Sequence, residues 1–190
     1  MVSNSKNQYN YIKNKRYRDN LKIMVDLLPD YFFTVAASST GKYHPSFSLG
    51  EGGLVRHTKL AVRIAHELYQ TESVTGKFTD DEKDLMIFAL TLHDGLKHGR
   101  VKSEYTIFEH PLVICDYIKE NASKLTLTQS EIDFVVNVIS SHMGPWTTDY
   151  KGNEVLPAPV NKYQKFVHMC DFLASRKFLD VKFENNDIID

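Results

Sequence analysis

Cysteine is scarce in this chain: two residues in 190, Cys115 and Cys170. Both sit within apolar helical patterns, which reads as buried thiols in a reducing, cytoplasmic setting rather than a disulfide framework. Long apolar runs are missing too. Nothing approaches the ~20 residues that a membrane span requires, and the opening residues 1–20 hold no apolar signal-peptide centre. Nor is there an excess of either charge. Lys and Arg number 23 against 24 Asp and Glu, for a net charge of −1, which speaks against a surface built to coat nucleic acid or an anionic membrane. Internal repeats, low-complexity tracts and strand-like alternation are all absent. Membrane, secreted, fibrous and disordered classes are thereby excluded. With 42% hydrophobic and 25% charged residues, the composition is that of an ordinary globular domain. A chain of this length suits one domain that buries roughly 70% of its unfolded surface.

What the sequence does have is helical periodicity, nearly throughout. Leu21, Met24, Val25 and Leu28 mark one buried face of a helix over about 16–28. Pro29-Asp30 interrupts it, and Tyr31-Phe32-Phe33 resumes a short apolar helix. Residues 37–53 are rich in Ser, Gly and Pro and form a long loop, the length that usually marks a working segment. A helix follows over about 54–70. Thr79 with Glu82, and Thr128 with Glu131, are capping boxes that open helices ending near His93 and His142. Between them lies a helix of about 107–121, with Pro111 confined to its first turn. A second long loop, 143–159, precedes a last helix of about 160–177. The expected fold is therefore all-α: an N-terminal helical segment, 1–36, packed on a main domain, 37–177, with an acidic, weakly patterned tail, 178–190.

Eight histidines are present, and their positions carry the functional reading. Five later helices each place an ionisable group on their apolar face: His57 with Leu54, Ala61, Ile64 and Leu68; His93, and Asp94 after it, with Met86, Ala89 and Leu90; His110 with Ile114 and Ile118; His142 with Val135, Val138 and Ile139; Asp171 with Val167, Cys170 and Ala174. A carboxylate on an apolar face is costly unless paired or metal-bound. One such histidine reads as a core imidazole bonded to a carbonyl, but five such ionisable groups on five helices are how a bundle converges a metal centre. Imidazole and carboxylate together suit Mn, Fe, Co, Ni or Zn better than Mg. Six candidate ligands accommodate two such ions, with Asp94 reaching both. A bridged pair acidifies a shared water and clamps phosphoryl oxygens for in-line attack.

The order His57, His93-Asp94, His110, His142, Asp171 resembles the HD-domain metal-dependent phosphohydrolases. The runs GGLVRHT (52–58), LTLHDGLKHG (90–99), EHPLV (109–113), SSHMG (140–144) and VHMCDFLASRK (167–177) are similar to the HD module of bacterial 3′-to-5′ exoribonucleases. The resemblance implies an HD-type helical bundle over 37–177. It places His57, His93, Asp94 and Asp171 on one metal and Asp94, His110 and His142 on a second. Asp94 and Lys97 become catalytic residues, Lys97 as the cation facing the substrate phosphate, and His44 a substrate contact. The run here is HDGLK, where the family commonly has His-Asp-Ile-Gly-Lys, and the Gly-Tyr-Pro pattern of cyclic-dinucleotide phosphodiesterases is missing.

The resulting expectation is a phosphodiesterase or nucleotidase that hydrolyses phosphoester bonds in nucleotides by attack of a metal-bridged hydroxide on phosphorus. The alternatives are a 3′-to-5′ exonuclease on single-stranded nucleic acid and a non-hydrolytic nucleotide-sensing module. A purely structural bundle with core histidines is the remaining contrast. A small nucleotide is favoured over a polymer by the balanced charge. No membrane partner is expected, and a homo-oligomer is compatible with the sequence. Lys42 and Trp146 complete the expected substrate contacts, Trp146 as a stacking platform for a base, with Tyr150 a second loop aromatic. His168, one turn before Asp171, is a supporting partner of the centre. His66 falls on the opposite helical face and is expected to be solvated. His98 and Arg100 extend a small basic loop that either meets phosphate or faces water.

Overall fold

The computed structural model describes residues 8–38, 40–179, 182–184 and 187–189; residues 1–7 and parts of the expected tail lie outside this set. The molecule is all-α. Among the described residues seven α-helices follow in order: α1 Lys15–Asp26, α2 Gly53–Leu68, α3 Glu72–Thr75, α4 Asp80–Leu92, α5 His110–Glu120, α6 Gln129–Ser140 and α7 Lys162–Ala174. Short 3₁₀ turns cover Gln8–Tyr11, Asp30–Phe33 and Ser46–Ser48. The only strands among the described residues are β1, Lys182–Glu184, and β2, Asp187–Ile189, paired antiparallel in the tail. That pairing is a departure from the sequence reading, which saw no strand there. Three-residue strands offer too little alternation to detect. No helix among the described residues is long and apolar enough to cross a membrane.

Local chemistry fixes the helix starts. Thr79 and Glu82 form a reciprocal capping box at α4, as do Thr128 and Glu131 at α6. A third box opens α7, where Asn161 accepts from the backbone of Tyr163 and Gln164. Each cap is worth ~1 kcal/mol. Helix α5 starts at His110, three residues later than the periodicity suggests, with Pro111 in its first turn, where a missing N–H costs nothing.

Helix α4 is the hub. It packs on α1, α2, α6 and α7, and every residue from Asp84 to Leu92 is buried. A helix that is apolar all round belongs in an interior. Leu85, Met86, Phe88, Leu90 and Leu92 join Leu54 of α2, Ile114 of α5, Val135 of α6 and Val167 of α7 in one continuous core. Each such buried side chain contributes ~1.5–3 kcal/mol. The N-terminal helix belongs to the same body. Arg16 and Tyr17 of α1 both bind Glu131 of α6, with Tyr17 Oη donating to Glu131 Oε1 at 2.7 Å. The buried Asp84 carboxylate accepts from the backbone N–H groups of Lys13 (3.0 Å) and Asn14 (2.8 Å). With α4 central, the C-terminal end of α4, the start of α5, the end of α6, the N-terminal part of α2 and the C-terminal part of α7 meet at one point.

Candidate metal centre

That meeting point holds the six sequence-predicted ligands. His57 comes from α2, His93 and Asp94 from the end of α4, His110 from the first residue of α5, His142 from just beyond α6, and Asp171 from α7. All but Asp171 are at most 2% exposed; Asp171, at 17%, faces the opening.

Three imidazoles are oriented by one device. The Nδ1–H of His93 donates to Leu90 O (2.7 Å), that of His110 to Ile107 O (2.7 Å), and that of His142 to Ile139 O (2.8 Å), each three residues back. A carbonyl only accepts, so Nδ1 carries a proton and Nε2 is the nitrogen left to face the centre. Carbonyl-anchored imidazoles of this kind are how metal-ligating histidines are fixed.

The acceptors then converge. Asp94 Oδ1 lies 3.0 Å from His110 Nε2 and 3.7 Å from His142 Nε2. Its Oδ2 lies 3.5 Å from His93 Nε2 and 3.9 Å from His57 Nε2. Asp171 Oδ1 approaches His57 Nε2 at 2.9 Å and His93 Nε2 at 3.3 Å. His93 Nε2 and Asp94 Oδ1 are buried without a hydrogen-bond partner. Buried polar atoms without partners cost ~1–3 kcal/mol each. A cation placed among them satisfies both at once, so the donor set fits a metal. The groups His57–His93–Asp94, His93–His142–Asp171 and Asp94–His110–His142 each bring three donor atoms within 4.8 Å of one another.

The electrostatics are those of a charged cluster shut away from water. Burial works to raise the Asp94 pKa, but Lys97, His93, His110 and His142 outweigh it and hold this carboxyl well below its usual range. Asp171 behaves alike, with His93 and His57 overcoming burial. Burial opposes protonation of His93, yet Asp94 and Asp171 raise its pKa to about 9. Burial pushes His110 down despite Asp94.

A cavity of about 530 Å³ opens above the centre, within the size range of small-molecule sites. Asp94, Asp171, His57, His110 and His142 form its floor. Lys97 lines it as well, its Nζ donating to Asp94 Oδ2 at 2.6 Å. His44 is also on the wall, edge-on to His57 at 5.7 Å between ring centroids. Burial, then Lys97 and His57, lower the His44 pKa to about 4. Trp146 forms part of the rim.

Other expected residues stand elsewhere. Lys42 is exposed, with its ammonium 5.2 Å from the Tyr43 ring centre, off the cavity wall. Tyr150 is 90% exposed and likewise off the wall. The basic loop contributes Lys97 alone: His98 is buried, its Nδ1–H donating to Ser103 O at 2.9 Å, and Arg100 forms a two-pronged pair with Glu120. His66 is half-buried and stacks on Tyr11 at 4.2 Å, a correction to its expected solvation. His168 does support the centre, donating from Nδ1 to His142 O at 2.7 Å. Gly144, at φ +67°, makes room for it: a Cβ there would lie 2.2 Å from the His168 ring.

The sequence reading gave no role to Tyr43, Phe172 or Arg176, all on the cavity wall. Phe172 and Arg176 follow Asp171 by one and five residues in the VHMCDFLASRK run, the one local signal that could have found them. No family model, curated protein or solved structure matches this chain.

Proposed function

We propose that this chain is a metal-dependent hydrolase of phosphoester bonds in nucleotides, of the HD-domain type that its motif order resembles. The carrying observation is the set of buried, opposed acceptors around Asp94, beneath a cavity that also presents Lys97. His57, His93, Asp94 and Asp171 would hold one divalent transition-metal ion, and Asp94, His110 and His142 a second. Bound there, such ions polarise phosphoryl oxygens and acidify water.

The chain's own residues do the rest. Asp94 divides its two oxygens between the two imidazole groups, so one carboxylate ties both halves of the centre. The His93, His110 and His142 rings are locked by their carbonyl anchors and need no rearrangement when charge develops. Lys97, anchored at Asp94, brings a cation to the cavity floor, where it can meet a phosphoryl oxygen. His44, neutral at pH 7, offers a hydrogen-bonding imidazole on the wall without adding charge.

The balanced net charge favours a small nucleotide over a long polymer. The test is Asp94→Ala, read by elemental analysis and by turnover of nucleotide phosphoesters with added Mn or Co. Loss of both metal and turnover is the expected result. Turnover that survives the substitution would sink the catalytic assignment. A metal-binding wild type that turns over no phosphoester would favour the non-hydrolytic nucleotide-sensing module instead.

A further inference from the structure

The rim of the cavity is chemically unlike its floor. Tyr43, Trp146 and Phe172 stand there, with Trp146 and Phe172 nearly parallel (16° between planes, centroids 6.1 Å apart). Trp146 is 46% exposed and Tyr43 55%, a poor use of large aromatics unless something else covers them. Arg176 sits among all three. Its guanidinium carbon lies 4.2 Å from the Phe172 ring centre, 5.8 Å from Tyr43 and 5.9 Å from Trp146. Nε and Nη2 are fixed on Ser175 Oγ at 3.1 and 3.0 Å. No carboxylate pairs with Arg176 among the described residues.

We infer that this rim is the nucleobase subsite: the base of the substrate stacks on Trp146 beside Phe172, Tyr43 and the planar Arg176 guanidinium while its phosphate lies on the floor. The inference rests on the nucleotide-hydrolase reading and narrows it. Aromatic rings and guanidinium planes hold unpaired bases by their faces, which every base possesses. The substrate class is therefore a mononucleotide, or another nucleotide with its base free. Purines should bind better than pyrimidines because they offer more face, with little discrimination by hydrogen-bonding pattern. A sugar phosphate without a base should be a poor ligand.

Trp146 is the sole tryptophan of the chain, so its fluorescence reports on the rim directly. The experiment titrates the purified protein with AMP and with ribose 5-phosphate, following tryptophan emission and, separately, binding by calorimetry. AMP is expected to quench emission saturably and to bind at least about tenfold more tightly than ribose 5-phosphate. In Trp146→Ala and in Arg176→Ala that ratio should shrink severalfold, and Trp146→Phe should restore most of it. Equal affinity for the two ligands, or an AMP titration that leaves emission unchanged, would overturn the subsite. Turnover separates the two readings. Hydrolysis with no preference for a base retains the hydrolase and removes the subsite, whereas AMP quenching without any hydrolysis retains the subsite and removes the hydrolase.

Discussion

The Nε2 atoms of His110 and His142 face each other at 3.2 Å, while both Nδ1–H groups are committed to backbone carbonyls. With both rings neutral the two lone pairs repel, and Asp94 Oδ1 adds negative charge 3.0 Å from His110 Nε2 and 3.7 Å from His142 Nε2. One divalent cation turns all three repulsions into attractions, so metal binding should be coupled to stability. At a free metal concentration 100 times its Kd the gain is ~2.7 kcal/mol, equivalent to a rise in Tm of roughly 5–10 °C for a chain of this length. Calorimetry of chelator-stripped protein, before and after addition of Mn, Co or Zn, checks this. An unchanged Tm with every metal would remove the physical case for the centre.

Lys97 has a separable role. Its ammonium touches Asp94 Oδ2 and also lines the cavity, so Lys97→Ala should lower kcat on nucleotide phosphoesters by about 10²–10³-fold, the scale of losing one preorganised charge stabiliser. The six candidate metal donors are untouched, and any metal content should persist. Steady-state kinetics with elemental analysis of the same preparation tests both halves. A kcat within a few-fold of wild type would reduce Lys97 to a counter-ion for Asp94.

Acid should loosen the molecule through Glu131. The Arg16 hydrogen bonds lower its pKa, burial opposes them, and the Thr128 backbone and Tyr17 add to the lowering, bringing the carboxyl to about 2 from its ordinary 4.5. A depressed folded pKa means the contribution is fully present above about pH 4.5 and lost as pH falls towards about 2. Urea midpoints measured across that window should fall more steeply for wild type than for Glu131→Gln. Parallel curves would show that the α1–α6 link carries no proton-linked stability.

Much of this architecture could be read from the chain, for reasons specific to each residue. The boxes at Thr79/Glu82 and Thr128/Glu131 are local events, complete within four residues, and the structure has both. The box at Asn161/Gln164 is equally local but uses the amide residues, and the periodicity alone began that helix slightly early. Five of the six donors were visible because each interrupts an apolar helical pattern, and Asp94 because it directly follows His93; neither signal needs knowledge of the partner helix. His66 was misplaced because its cover, Tyr11, comes from a turn that docks from 55 residues away. Lys42 lies within the working loop in sequence, yet its side chain follows the Tyr43 ring. Tyr43 and Arg176 meet only once the 37–53 loop folds over the end of α7, where Lys177 N donates to Tyr43 O at 3.0 Å. No spacing rule connects residues so far apart.

The His57–Asp171 pair joins residues 114 positions apart, and that separation sets an order of assembly during translation. Asp94, His110 and His142 are all synthesised once α6 has emerged, so this half of the centre can close on a nascent chain. The other half waits for α7, because Asp171 is the donor that completes His57 and His93. A ribosome-stalled chain ending before residue 162 would thus carry the Asp94–His110–His142 group, with His57 and His93 left to Asp94 alone. The full set of six donors is in that sense assembled only after α7 has been made.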